Sequence, residues 1–430
     1  MAFFVATFVG SSATPAFGGM IVADPAALLW RQVLLLFTAG VIVIWFAATK
    51  SVVHDGDGPE FLTLLLAATM GLSLMGATSN LLMLLLATEL ASMPCYVLAG
   101  FRKTIRPAAE ASLKYVLFGS VCTAVTIYGL SLLYGVSGSM DAAVWLKNAS
   151  TPPPLAIIGL LMVGVGLLFK LAAVPAHFWC PDVFQGSHVD VAAFLSVASK
   201  GAGVILIARL WNAAGSAPAS STAALVIALV AVVTMTVGNL GALRQNSVKR
   251  LLAYSSIAHA GYLLSGLAVL PGGTPAVLVY LIIYAVMNLG AFAVLAGVEK
   301  VSGSDDVTAF DGLASRSPFA AAAMAVCLVS MVGLPPAAGF MAKLKIMTAL
   351  GHAGAAWWWV VAAVGLNSVV SLAYYAKILR AMYLQPARTR TPIVGWTGPL
   401  AITCAALLLL MLIGYAPLEY WAANAVFILP

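Results

Sequence analysis

Long stretches of almost unbroken apolar residues recur along the whole sequence. Several of them approach or exceed the roughly 20 residues that a helix needs to cross a lipid bilayer. A soluble domain carries roughly 25% charged residues, whereas only 8% of this chain is charged and 62% is hydrophobic. The chain cannot cover a surface that faces water on all sides. The sequence therefore predicts an all-α integral membrane protein in contact with the lipid bilayer.

The apolar stretches and the turn residues between them predict about twelve transmembrane helices, joined mostly by short connections. No shift in composition marks a soluble domain, so residues 1–430 form a single predicted membrane domain. The predicted spans are 26–48, 60–78, 80–100, 107–134, 154–184, 188–211, 221–243, 248–270, 275–298, 317–350, 355–383 and 396–415.

Lysine and arginine residues are concentrated in alternate loops. The loops after odd-numbered spans hold twelve of them, and the loops after even-numbered spans hold only Lys147. Because positive residues accumulate on the cytoplasmic side, this pattern predicts cytoplasmic odd loops and puts both termini on the opposite side. The twelve residues are Lys50, Arg102, Lys103, Arg106, Arg244, Lys249, Arg250, Lys300, Arg316, Arg380, Arg388 and Arg390. They form no compact patch or tail, so the net charge of +7 does not indicate a nucleic-acid partner.

Two of the predicted spans are interrupted by residues that break helices. The fifth contains Pro175 and Pro181, and the tenth contains Gly333, Pro335 and Pro336. A proline frees backbone groups that lipid cannot satisfy, so broken helices occur where protein or water surrounds them. Prolines that merely kink packed helices are the alternative interpretation.

The two breaks fall in the fourth helix of two groups of five helices. A repeat with an odd number of helices must insert its second copy upside down, and paired broken helices in inverted repeats are typical of transporters. The sequence therefore predicts two inverted five-helix repeats, each with a discontinuous helix. The predicted parts are an N-terminal helix within 20–59, the repeats 60–213 and 221–383, and a C-terminal helix at 396–415.

Four ionisable residues lie deep inside apolar segments: Glu89, Lys170, Lys200 and Lys343. A lysine near the bilayer centre costs about 2.5–3.5 kcal/mol on insertion scales, so such residues suggest a function. Burial favours a neutral amine and a nearby carboxylate favours the ammonium, so a lysine between these influences can take up and release a proton. We predict that these four residues translocate protons, with an intramembrane ion pair between Glu89 and Lys170 or Lys200 of the same five-helix group.

Four further residues are possible members of the relay: Lys114, His177, Lys249 and His259. Each has a simpler alternative, such as a local Lys114–Glu110 pair or histidines satisfied within the core. For Arg209 and Lys377, near helix ends, we expect side chains that reach toward the membrane interface. For Asp182 and Asp190 we expect interfacial helix caps.

The sequence contains no motif that would bind a redox cofactor. The five cysteines are scattered through apolar segments without a CxxC pair, which argues against an iron–sulfur or zinc site. Paired histidines at haem-ligand positions and a nucleotide-binding loop are also absent from the sequence. We therefore predict no metal, no cofactor-binding site and no redox centre in this chain.

Six segments together resemble the antiporter-like membrane subunits of NADH–quinone oxidoreductase (respiratory complex I) and their cation/proton antiporter relatives. They occur in the family's order and are "LLATELASMPCYVLAGFRK", "EASLKYVLFGS", "FKLAAVPAHFWCPDVFQG", "AAFLSVASKGAG", "VKRLLAYSSIAHAGYLLSG" and "GLPPAAGFMAKL". A lysine rather than a glutamate at position 343 is most similar to the family's subunit N branch.

The resemblance implies a role for each buried residue. Glu89 would modulate Lys170, Lys200 would follow in the relay, and Lys343 would open toward the periplasm. Quinone chemistry elsewhere in the complex would drive proton transfer through this subunit of a translocase in the bacterial inner membrane. NADH, FMN, iron–sulfur clusters and quinone would be bound by other subunits, and the partners would be other membrane subunits of the complex.

The sequence departs from the family pattern in two respects. Family members have about fourteen spans, so this sequence would lack the first two. Gln185 stands where a glutamate is common, and Asp190 replaces a typical proline. The alternative function is a subunit of a multisubunit cation/proton antiporter or of a membrane-bound hydrogenase.

Overall fold

The structure is a computed structural model that describes residues 15–48, 57–102, 104–142, 144, 153–213, 222–388, 391–393, 395–425 and 427. Within these ranges there are sixteen α-helices and no β-strand beyond single bridges between loops. In chain order they are α1 (Pro25–Ala48), α2 (Gly58–Met75), α3 (Leu81–Ala99), α4 (Arg106–Ser137), α5 (Pro154–Leu171), α6 (Trp179–Gly186), α7 (Val189–Ala213), α8 (Thr222–Leu243), α9 (Val248–Leu267), α10 (Thr274–Ser302), α11 (Leu313–Arg316), α12 (Pro318–Val332), α13 (Ala338–His352), α14 (Trp358–Leu384), α15 (Thr397–Ile413) and α16 (Tyr415–Asn424).

The prediction of an all-α membrane fold is confirmed, and every predicted span coincides with one helix or with a broken pair. By length and composition, nine helices in the described ranges can cross a membrane, and α15 with α16 makes a tenth. The other two predicted spans are α9, which is buried in the protein along nearly its whole length and carries polar residues, and the short halves α12 and α13. Because protein rather than lipid surrounds α9, its polar side chains are not exposed to lipid.

Both broken spans are interrupted in the same way. The first half-helices, α5 and α12, end at residues in the left-handed region, Ala172 with φ 52° and Gly333 with φ 80°. Pro175 and Pro336 follow three residues later in each break. Pro181 does not contribute to the break as predicted, because it lies in the first turn of α6, where a missing N–H is tolerated.

The C-terminal part contains a helix that was not predicted. Helix α16 follows α15 after Gly414, and the two are bent by 83° relative to each other. The ten residues of this helix include Pro417 and Glu419, which interrupt the apolar pattern. The apolar pattern therefore predicts α15 but not the helix that turns away from it.

The first two helices of each five-helix group approach each other closely at a glycine. A Cβ at Gly71 in α2 would lie 2.4 Å from the backbone nitrogen of Ala91 in α3. A Cβ at Gly238 in α8 would lie 2.5 Å from the backbone nitrogen of Ala258 in α9. The third helix packs on the first half of the broken span in both groups, α4 on α5 and α10 on α12.

The loops after α4 and α10 also match. The sequences are SGSMD, which ends at Asp141, and SGSDD, which ends at Asp306. In both, the glycine has a positive φ, 66° and 69°, and the aspartate N–H donates to the second serine hydroxyl. Each loop forms a single antiparallel bridge with the residue that caps the group's second helix, Asn80 in one and Ser247 in the other. These correspondences support the predicted division into repeats, which stays a prediction.

A fully buried ion pair ties α1 to the first group. Both terminal nitrogens of Arg209 in α7 contact the carboxylate of Asp24 at 2.8 Å, and its Nε donates to the carbonyl of Gly76. The expectation that Arg209 reaches toward the interface is therefore wrong. Lys377, in contrast, extends from the end of α14 to the loop carbonyl of Gln245 at 2.9 Å.

Candidate functional site

Helix α5 places Lys170 one residue before its end, so the side chain points from the first break toward α3. The Lys170 ammonium donates to the hydroxyl of Ser92 at 2.5 Å and lies 3.4 Å from the carbonyl of Thr88. Glu89, the next residue of α3, accepts a hydrogen bond from the Thr123 hydroxyl at 2.8 Å. Only 4% of Lys170 is exposed. The first break therefore brings a buried lysine beside a helix that carries a carboxylate.

Glu89 and Lys170 are neighbours but not direct partners. Both line one cavity of about 20 Å³, which is the space of roughly one water molecule. Among the ion pairs of the described residues, none joins Glu89 to Lys170, so the predicted direct pair is not formed. A carboxylate at this position still favours the charged lysine through the low-dielectric interior. A water in the cavity would complete a hydrogen-bonded path between them.

Lys200 in α7 lies against the second half of the first broken span. Its ammonium is 3.8 Å from the Cys180 sulfur and sits 5.1 Å from the ring centre of Phe184. The side chain is fully buried. Cys180 in turn lies 3.9 Å from the hydroxyl of Ser256 in α9, so this contact leads from the first group into the second. The preceding residue, Ser199, donates to the Lys170 carbonyl at 2.9 Å and ties α7 to the end of α5.

His259 lies one turn after Ser256 on α9, in a cluster of aromatic side chains. Its Nδ1 forms a 2.7 Å hydrogen bond with the Tyr280 hydroxyl, and its ring packs against those of Tyr262 and Tyr284. The Lys343 ammonium sits 4.4 Å from the ring centre of Tyr262. The histidine cluster therefore lies between the Lys200 contact and the second break.

Lys343, one turn into α13, reaches back across the second break. Its ammonium donates to the carbonyls of Met331 at 3.1 Å and Val332 at 2.8 Å, and to the Ser368 hydroxyl at 3.1 Å. These two carbonyls belong to the end of α12, where the helix dipole is negative and backbone acceptors are free. The break thus supplies the acceptors that keep a buried ammonium hydrogen-bonded.

The structure therefore brings five predicted residues into one buried row. These residues lie on helices α3, α5, α7, α9 and α13. The protein buries 94% of the apolar segment of α7 and 83% of that of α10. Lys170, Lys200, His259 and Lys343 are buried inside the protein, and Glu89 is half-buried. In order along the row lie Glu89, Lys170, Lys200, His259 and Lys343.

Lys114 is more exposed than the members of this row, with 38% of its side chain accessible. Its ammonium contacts Glu110 at 2.7 Å, as the local alternative predicts, and also Asp182 at 2.8 Å. Asp182 additionally binds Arg250 of α9 at 2.5 Å. The expectation that Asp182 is a simple cap is wrong, because its carboxylate links α6 to helices of both groups.

His177 and Lys249 occupy two further positions around the first break. His177 lies within the break and packs against the ring of Phe178. Lys249, at the start of α9, forms a 3.1 Å ion pair with Glu299, the last carboxylate of α10. Sequence reasoning missed Glu299, although a lone carboxylate at the end of a long apolar helix was a usable signal.

Within the described ranges, no three His, Cys, Asp or Glu side chains come together as metal ligands. The prediction that this chain binds no cofactor stays a prediction.

Comparison with known proteins identifies the family. Residues 78–371 match the family described as NADH:quinone oxidoreductase/Mrp antiporter, TM. This chain belongs to that family. The "NADH-quinone oxidoreductase subunit N 2" of Sorangium cellulosum is 40% identical, with 98% of this chain and 88% of that protein covered.

Solved structures of family members share the fold. A chain of respiratory complex I from Thermus thermophilus with bound aureothin superposes with a TM-score of 0.82 at 33% identity, and the match covers 98% of this chain and 91% of that chain. A chain of the membrane-bound sulfane sulfur reductase, an archaeal respiratory membrane complex, gives a TM-score of 0.89 at 25% identity, with 99% and 89% covered.

Proposed function

We propose that this chain is a proton-translocating membrane subunit of NADH–quinone oxidoreductase. The names of its relatives and the similarity to a complex I chain support this assignment. The activity belongs to the whole complex, in which NADH oxidation and quinone reduction take place in other subunits. The partners of this chain are the other membrane subunits and the bilayer that surrounds them.

The observation that carries the proposal is the buried row from Glu89 to Lys343. Insertion of isolated charges into a membrane is costly, and here each is held by hydroxyls, carbonyls or aromatic rings inside the protein. The contacts at Ser92, Cys180 and Tyr262 lead from one member toward the next. A scaffold that only connected other subunits would need none of these buried lysines.

Proton transfer along the row depends on the competition around each lysine. Burial favours the neutral amine, and a carboxylate or a set of carbonyls favours the ammonium. A movement of α3 relative to α5 changes the separation of Glu89 from Lys170 and so changes which form is stable. A proton released from Lys170 passes toward Lys200, and the aromatic cluster around His259 leads on to Lys343. Lys114, His177 and Lys249 lie beside this row, where they can supply or accept protons.

The loop charges give the orientation of the chain, and the family resemblance implies that Lys343 opens toward the periplasm. The odd loops face the cytoplasm, so the chain lies in the bacterial inner membrane with both termini in the periplasm. Lys343 then delivers protons toward the periplasm. Of the residues used for this orientation, Lys50, Lys103, Lys147 and Arg390 lie outside the described ranges, as do residues 1–14 and 428–430.

The experiment replaces Lys170 or Glu89 with alanine in the assembled complex. We expect Lys170→Ala and Glu89→Ala to reduce the number of protons pumped per NADH oxidised, measured in proteoliposomes with a pH-sensitive dye. Lys377→Ala is the matched control, because that lysine lies at a helix end outside the row. If both row variants pumped at the wild-type level, the relay assignment would be wrong.

A second candidate is a subunit of a multisubunit cation/proton antiporter or membrane-bound hydrogenase. It is favoured by the fold match to a chain of the sulfane sulfur reductase complex and by the family's Mrp branch. Co-purification separates the two, because a complex I subunit copurifies with NADH:quinone oxidoreductase activity and an antiporter subunit does not.

A further inference from the structure

A large cavity opens at the side of the odd loops. Its volume is about 500 Å³, and it is bounded by the ends of helices from both five-helix groups and of α1. Asp57 and Glu60 lie on one wall, and the His188–Asp190 pair, joined at 2.7 Å, lies on another. We refer to this cavity as the vestibule.

The vestibule contains the Lys249–Glu299 ion pair. Lys249 is 7% exposed, and its ammonium lies 3.1 Å from Glu299 Oε1 and 3.4 Å from the Ser187 carbonyl. One ion pair therefore joins the start of α9 to the end of α10, next to the residue that caps α6.

Two buried oxygens at this ion pair have no hydrogen-bond partner within the described part of the chain. They are Oε2 of Glu299 and Oγ of Ser187, one on either side of Lys249. Buried polar atoms are nearly always paired with protein or with water. Both residues line the vestibule, and the two oxygens themselves are buried in its wall. The second carboxylate oxygen of Glu299 is therefore an unpaired proton acceptor on a residue that lines the vestibule.

The ion pair also leads inward to the relay. Helix α6 has eight residues, roughly 12 Å at 1.5 Å per residue. At its end, the Ser187 carbonyl contacts Lys249, and at its start Cys180 contacts Lys200. The Cys180 sulfur also lies 3.9 Å from the Ala253 carbonyl, one turn after Lys249 on α9. Lys249 therefore stands between the vestibule and Lys200.

We propose that Glu299 collects protons from the vestibule and that its ion pair with Lys249 is the gate through which they reach the buried relay. This inference rests on the proposed function of the chain as a proton translocator, and it assigns Glu299 a role in proton uptake from the cytoplasmic side.

The proposed steps conserve protons. Hydronium in the vestibule gives a proton to Oε2 of Glu299, which leaves a water molecule and a neutral carboxylic acid. The ion pair with Lys249 is thereby broken, and the released ammonium gives its proton inward toward Lys200. The neutral Lys249 amine then takes the proton from the Glu299 acid, which restores the carboxylate, the ammonium and the ion pair. One proton enters the relay in each cycle.

Several charged or titratable groups share the vestibule with Glu299 and act on its protonation. Carboxylates favour the protonated acid, and basic groups favour the carboxylate. The groups that line the vestibule are Asp57, Glu60, Arg102, His188, Asp190 and Lys249.

The test is Glu299→Gln in the assembled complex, with proton pumping and NADH oxidation measured between about pH 6 and pH 9, a range over which the hydronium concentration changes about 1,000-fold. We expect pumping to fall about tenfold at the alkaline end, less than the 10²-fold contribution of a positioned proton-transfer group, because other carboxylates that line the vestibule can still take up protons. The loss should shrink toward acidic pH, where hydronium is abundant. Glu299→Asp should restore most of the pumping, because it keeps the carboxylate.

Asp311→Asn is the matched control. It removes the same charge from another carboxylate on the same side, one that pairs with Arg388 at 2.7 Å and does not line the vestibule. Equal pumping of wild type and Glu299→Gln at every pH overturns the inference, and so does a loss that is the same at every pH. If Glu299→Gln does not assemble, the Glu299→Asp profile decides, because a wild-type profile in that variant agrees with the gate and a uniformly reduced one contradicts it. A failure here with intact Lys170→Ala and Glu89→Ala effects removes only the gate and leaves the relay.

Discussion

In the first five-helix group Lys170 points away from its break to the neighbouring helix α3, whereas in the second group Lys343 points back to the end of its own broken span. Lys170 lies two residues before the left-handed residue of the first break, and Met331 lies two residues before that of the second, so the two positions correspond. The carbonyl of Met331 accepts a hydrogen bond from the Lys343 ammonium. In the first group the corresponding carbonyl is that of Lys170 itself, and it accepts a hydrogen bond from the Ser199 hydroxyl. Both breaks thus begin with a left-handed residue, but the lysine of the first binds a neighbouring helix and the lysine of the second binds its own broken span.

The partners differ in kind as well as in direction. Lys170 has one close hydroxyl, one carbonyl at 3.4 Å and the carboxylate of Glu89 across a small cavity. Lys343 has two backbone carbonyls, a hydroxyl and an aromatic face, and no carboxylate pairs with it in the described ranges. Backbone carbonyls move only with the helix, whereas a side-chain carboxylate can approach or withdraw. We therefore expect the surroundings of Lys170 to be adjustable and those of Lys343 to be fixed.

The largest expected effect comes from arginine in place of the break lysines. Arginine keeps the positive charge but is not deprotonated in proteins, so it can hold an ion pair and cannot pass a proton on. We expect Lys170→Arg and Lys343→Arg each to lower proton pumping per NADH oxidised by about 10²-fold or more, within the range for loss of a positioned proton-transfer group. Lys377→Arg should pump normally. Normal pumping by Lys343→Arg alone would restrict the relay to the first group.

The second prediction tests whether the two groups are equivalent scaffolds. Gly71→Ala and Gly238→Ala each place a Cβ within 2.5 Å of backbone on the facing helix, so the helices must separate at a cost of about 1–3 kcal/mol or more. Thermal unfolding in detergent should show similar losses for both.

Two glycines in open surroundings serve as controls for this comparison. A Cβ at Gly164 in the first group or Gly365 in the second meets no atom within 4 Å, so alanine there should leave the unfolding temperature unchanged or slightly raised. If Gly71→Ala were harmless while Gly238→Ala was damaging, the two groups would differ in packing as well as in chemistry.

The smallest expected effect distinguishes how firmly each lysine is held. A hydrogen bond to a charged group contributes about 1.5–3 kcal/mol. Ser92→Ala leaves Lys170 with a single distant carbonyl, while Ser368→Ala leaves Lys343 with two close ones. Thermal unfolding should therefore show a larger loss for Ser92→Ala, and Ser92→Thr should recover it. Equal losses would contradict the expected contrast between the adjustable surroundings of Lys170 and the fixed surroundings of Lys343.

Much of the fold follows from the sequence, because the bilayer constrains a helix to a long apolar stretch. The stretches predict each span to within a few residues, and the prolines and glycine predict where two spans break. Helix α16 escapes this reasoning, because it begins after a turn at Gly414 and has only ten residues, with Pro417 and Glu419 among them. Pro181 shows a similar limit, since the same residue breaks a helix interior and is accepted in a first turn.

The candidate site is predicted in its members but not in its contacts. Glu89, Lys170, Lys200 and Lys343 are conspicuous because a charge in an apolar stretch is costly wherever the helix packs. The absence of a direct Glu89–Lys170 pair depends on side-chain placement across three helices, which no spacing in the sequence encodes.

By itself the sequence determined that this protein lies in a membrane, where its helices run, where two of them break and which ionisable residues must be sheltered from lipid. Only the tertiary structure decided the partners of those residues. Arg209 meets Asp24 across 185 positions of sequence, and Lys249 meets Glu299 across 50. Helical periodicity relates residues three or four positions apart, whereas partners this distant are selected by how whole helices pack.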